Sequence, residues 1–114
     1  MGRPKPAPSL QDSAVLFAAL GDPQRLRLVV RLGEHGPLSI AKLVDGSHVT
    51  RQAIRKHLQV LSSAGLVTNL KQGRENLWEL SPAGLLPAKR ALDVIEARWN
   101  TSLQRLKALV EDET

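Results

Sequence analysis

Apolar residues recur at three- and four-residue intervals over most of the chain, a helical signature, and give way to short extended runs only between Leu66 and Leu80. Leu16, Phe17 and Leu20 share a register that predicts a helix from Leu10 to Leu20, ended by Gly21. Asp22 with Pro23 behind it is a helix start, and Leu26, Val29, Val30 and Leu32 predict a second helix that lasts until Gly33 or Gly36 and is closed off by Pro37. Ser39 suits the cap of a short helix, Ile40 to Val44, and Asp45-Gly46-Ser47 supplies turn residues. Thr50 then caps a longer helix on which Ile54, Leu58 and Leu61 form one buried stripe, stopped by Gly65. Two helices joined by a tight turn predict a helix-turn-helix.

The period changes after Gly65. Leu66 to Lys71 and Asn76 to Leu80 read as two strands around the polar turn Gln72-Gly73-Arg74-Glu75, a hairpin in the position of a wing. A final helix is predicted from about Ala83 or Pro87 to Val110, because Leu92, Ile95, Trp99, Leu103, Leu106 and Val110 make one continuous apolar stripe over roughly six turns. That is more helix than so small a domain needs for its own core. The surplus predicts pairing with a second copy through Leu92, Ile95, Trp99, Leu103 and Leu106, assisted by Leu16, Phe17 and Leu20; the alternative is a stripe that folds back on its own subunit. Trp78 and Trp99 are assigned to core or dimer interface. The fold class expected is mainly α with a small β-hairpin: a winged helix-turn-helix over residues 10–114, preceded by a disordered basic arm over residues 1–9.

Composition sharpens this picture. The 114 residues are enough for one domain, and 42% hydrophobic content with only 3% aromatic favours a helix-rich core of Leu, Val and Ala. The net charge of +5 points to an acidic polymer as partner, a membrane surface or the ribosome included. Its distribution narrows the choice. From Gly46 to Arg74 there are five Lys or Arg (Arg51, Arg55, Lys56, Lys71, Arg74) and no acid. Arg51, Gln52 and Arg55, on the polar side of the Thr50 helix, carry the side chains that fork onto guanine and adenine edges and are assigned to base contact. Lys42, His48, Thr50 and Lys56 suit phosphate contact, and Lys71 and Arg74 suit a wing that grips the minor groove; a solvated hairpin tip is the competing account. His57 stands next to this face, with neighbours that imply partial packing. An acid-free face that reaches the wing favours double-stranded DNA over a winged helix used for protein or RNA contact.

Other classes fall away. Zero cysteines exclude disulfides and thiolate metal sites. Scattered His35, His48 and His57, with no Gly-rich phosphate loop, give no catalytic cluster, so neither an enzyme nor a cofactor is expected. No apolar run is long enough to span a bilayer or follow Met1 as a signal, and Pro6 spoils a myristoylation motif at Gly2, so a soluble cytoplasmic protein is expected.

With these residues in hand, the chain resembles the ArsR-type, or arsenic-repressor-type, winged-helix regulators over about Ser13 to Val110. The marks are Ala19-Leu20-Gly21-Asp22-Pro23-Gln24-Arg25-Leu26-Arg27, then Thr50-Arg51-Gln52-Ala53, Lys56-His57-Leu58, Leu61 with Ala64-Gly65-Leu66-Val67, and Gly73-Arg74 before Leu80. The resemblance implies a homodimer that binds operator DNA and represses transcription until a signal releases it. The family's usual metal sites use cysteine pairs, or His and acidic ligands on the last helix. Here there is no cysteine, and on the last helix Asp93 and Glu96 stand without a His, so the likeness is to the metal-free branch. An unidentified small-molecule inducer, or none, and the sign of regulation stay open at this point.

Overall fold

The computed structural model describes residues 10–112, so the basic arm expected over residues 1–9 lies outside the described residues. Helix α1 spans Leu10–Leu20 and α2 Pro23–His35; a short strand β1, Leu38–Ser39, leads into α3, Ile40–Val44. Helix α4 covers Arg51–Ser63, followed by β2, Val67–Gln72, and β3, Glu75–Leu80. A single 3-10 turn, Pro82–Leu85, enters the long α5, Leu86–Asp112.

Helices α2, α3 and α4 start on the caps their sequence supplies. The Asp22 carboxylate accepts from the Gln24 and Arg25 N–H groups at 2.8 and 3.1 Å. Ser39 Oγ accepts from Lys42 N–H at 3.2 Å, and Thr50 Oγ1 from Ala53 N–H at 3.1 Å. At the end of α4, Gly65 has a φ of 80°, Leu66 N–H donates to Leu61 O and Gly65 N–H to Ser62 O, the paired bonds of a Schellman motif. Two arginines close other helix ends from a distance. Arg25 donates to the Ala19 and Ala18 carbonyls of α1, and Arg31 to the Leu43 and Lys42 carbonyls of α3. Both set a cation against the negative end of a helix dipole.

The sheet is antiparallel in the order β1-β3-β2, with Leu38 opposite Trp78 and Val67 opposite Leu80. Strand β1 was not expected; it is two residues long and exists only through its pairing with β3. The largest fully buried side chains among the described residues are Leu32, Leu43, Leu58, Leu61, Leu66 and Val67, so the core is aliphatic, as the composition implied. Trp78 is half-buried against it.

Burial selects one face on each of the first two helices. On α2 the buried residues are Leu28, Val29 and Leu32, whereas Leu26 and Val30 are 47% and 51% exposed. The sequence offers two overlapping apolar stripes there, and the one aligned with α4 and the sheet is the one that packs. On α1, Ser13, Leu16 and Ala19 turn inward; Leu16, at 4% exposure, lies mainly in the protomer core, while Phe17 is exposed.

Where α4 ends, Ser81 N–H donates to Leu66 O at 2.9 Å, and the backbone of Gly84 lies so close to Gly65 that any side chain there would collide with its carbonyl. Ser13 Oγ ties α1 to the base of α5 through the Pro87 carbonyl. Beyond that base α5 leaves the body: of its 27 residues only Ala88 is buried. At 1.5 Å per residue it is a rod of about 40 Å.

Candidate nucleic-acid interface

The geometry of α4 follows from its two-sided sequence. Ile54, Leu58 and Leu61 are buried, which fixes the rotation of the helix, and Arg51, Gln52, Arg55 and Lys56 are thereby held in solvent on the other side. The Thr50 cap fixes where the helix begins, so Arg51 and Gln52 occupy its first turn, where free N–H groups and the dipole favour phosphate. Thr50 Oγ1 accepts the Ala53 N–H and keeps its own hydroxyl proton to donate. Arg51, Arg55 and Lys56 make no hydrogen bond or ion pair with another described residue. An unpaired cationic face costs nothing to strip of internal partners when an anion arrives.

Lys42 on α3 is exposed, its carbonyl held by Arg31, and His48 is exposed in the turn that feeds α4. His57 is half-buried on α4, on the side toward α2. The Asp22 carboxyl sits below its ordinary value, chiefly because the Arg25 N–H bonds its charged form, with Gln24 N–H and the nearby Arg25 and His57 charges adding to the effect against partial desolvation. In the wing, Gln72 pairs with Glu75, leaving Gly73 and Arg74 as the loop; Gly73 has a φ of 63° and Arg74 an ordinary one, the arrangement of a II′ turn. Lys71 and Arg74 are exposed at this tip, about 17 Å along the strands from the base at Val67.

Sequence reasoning overlooked Gln59. It is exposed one turn beyond Arg55, and its i+4 spacing was the available signal. The anchoring roles of Arg25 and Arg31 had no local signal, since their carbonyl partners come from other helices.

A family profile described as a helix-turn-helix domain matches residues 20–69, which contain α2 to α4 and the start of the wing. The chain is 35% identical over 97 residues to the HTH-type transcriptional regulator Rv2034 of Mycobacterium tuberculosis, covering 85% of this chain and 87% of that one. It is 32% identical over 97 residues to the arsenical resistance operon repressor of Escherichia coli, covering 85% and 80%. An ArsR-like transcriptional regulator from Rhodococcus superposes with a TM-score of 0.74 at 36% identity, over 87% of this chain and 92% of that one. The chain belongs to the ArsR-type family of winged helix-turn-helix transcriptional regulators.

As an ArsR-type regulator it is a DNA-binding protein of transcription and not an enzyme. Among the described residues, no three His, Cys, Asp or Glu side chains come together in a group that could hold a metal ion. No helix there is long and apolar enough to cross a membrane.

Proposed function

We propose that two copies of this ArsR-type chain pair through α1 and α5 and set their α4 helices into successive major grooves of a pseudo-palindromic operator, about 34 Å apart, to repress a promoter in the cytoplasm. Arg51, Gln52 and Arg55 read base edges. Lys42, His48, Thr50 and Lys56 hold phosphates, and Lys71 and Arg74 grip the minor groove from the wing. Phe17, Leu20, Leu92, Ile95, Trp99, Leu103 and Leu106 join the copies, and no metal at the family's usual positions takes part. One observation carries this reading: the solvent face of α4 bears unpaired cations and no acid, while its opposite face is locked into the core.

Selection of bound genomic fragments by the purified protein, followed by footprinting, tests it. The expected result is one inverted-repeat duplex preferred over bulk DNA by about a thousandfold or more, with an affinity that falls steeply as salt rises because Lys and Arg displace condensed counterions. Binding that is insensitive to salt, or equal for all duplexes, or confined to RNA or a protein, overturns the proposal.

A further inference from the structure

A second site lies behind the reading helix. Between α2, the turn after α3 and α4 there is a cavity of about 310 Å³, too large for a packing void and open on one side. Its floor is apolar: Leu28 of α2, Leu43 of α3 and Ile54 of α4 are all buried. Its rim carries Arg27, Arg31 and His57, and no Asp or Glu lines it. Arg31 is fixed by its bonds to the Leu43 and Lys42 carbonyls, which use two of its five N–H groups and hold the guanidinium at the rim. Arg27 makes no hydrogen bond or ion pair with another described residue. Asp22, the acid that feels the His57 charge, is committed to the cap of α2.

We infer that this cavity is a ligand site for a small monocarboxylate with a compact apolar body, and that occupancy weakens operator binding. The carboxylate takes the rim arginines, for which a forked guanidinium is the matching donor, and the apolar body takes the floor. The coupling follows from what the floor is made of. Ile54 and His57 belong to the reading helix, one residue before and two after Arg55, and the turn that enters the helix forms another wall. A body wedged between α2 and α4 favours the positions of α4 that open this gap over the position that fits the groove. The inference rests on the operator reading above only for its effect on DNA; binding to the free protein stands apart from it.

The test uses the full chain and three probes, benzoate, phenylacetate and isovalerate, with benzamide as the neutral control, all at constant ionic strength. In amide correlation spectra at least one carboxylate should shift Leu28, Leu43 and His57 saturably, benzamide should bind about tenfold more weakly or worse, and Arg27→Gln should cost about tenfold in carboxylate affinity. Carboxylate at a few times the parent's Kd should lower affinity for the selected duplex several-fold in the parent protein, and at that same concentration Arg27→Gln should shrink the ratio toward one. Shifts that never saturate, equal binding of benzamide, or an unchanged affinity in Arg27→Gln overturn the site. If the carboxylate saturates the cavity while no duplex is selected, the site stands and the operator reading falls. If a duplex is selected and no carboxylate moves these amides, the site falls and the operator reading stands.

Discussion

Helices α4 and α5 are both amphipathic, but α4 buries its apolar side within the protomer and α5 leaves its own in water. Ile54, Leu58 and Leu61 are sealed against α2, α3 and the sheet, so the polar face of α4 has one orientation. Along α5, Leu92, Ile95, Trp99, Leu103 and Leu106 stay exposed, Trp99 at 65%. A stripe satisfied at home positions the residues opposite it; a stripe left open by the fold is apolar surface offered to a partner.

The largest effect that can break this contrast is on folding. Leu61→Ala should lower unfolding stability by about 2–5 kcal/mol, read from urea denaturation, whereas Trp99→Ala should leave a dilute protomer nearly unchanged; equal losses would mean that both helices serve one core. Next, Ile95→Asp with Leu103→Asp should weaken self-association by at least about 2 kcal/mol in sedimentation runs, with helical content retained. A sharper test of the polar face is Arg55→Ala, expected to cost about 1–3 kcal/mol of operator binding and relax preference at one base position, while Lys56→Ala weakens all sequences alike and lowers the salt slope by about one. Thr50→Ala removes the cap together with one phosphate contact and should cost about 1 kcal/mol of stability. The smallest effect belongs to Asp22. Its depressed carboxyl adds stability that is complete above the ordinary 3.8 and fades as the pH drops through the lower folded value, so Asp22→Ala should reduce the melting temperature at neutral pH and lose less at strongly acid pH.

Much of this was legible because the signals were local. Thr50, Asp22 and Ser39 announced helix starts, Gly65 announced an end, and Gly73 marked the hairpin loop before any coordinates. What escaped was set by distant neighbours. Strand β1 has too few residues to show a period and is defined by Trp78 and Leu77 far along the chain. The choice between Leu26 with Val30 and Leu28 with Leu32 depended on where α4 lay, and Leu16 was drawn into the core by the base of α5 and α2 instead of facing outward with Phe17. For the candidate interface, the residues of α4 were readable from spacing, but the Arg31 anchor and the cavity beside it arise only when α2, α3 and α4 meet.

The meeting of Gly65 with Gly84 has a mechanical consequence. Neither residue has a side chain to hold the other off, so the C-terminal end of α4 and the foot of α5 meet main chain to main chain in a close elbow. In a two-fold assembly, swapping one aliphatic residue for another along α5 would alter how tightly the halves clasp and leave their span intact, whereas a lone methyl group at position 84 would prise the elbow apart and re-aim both halves at once.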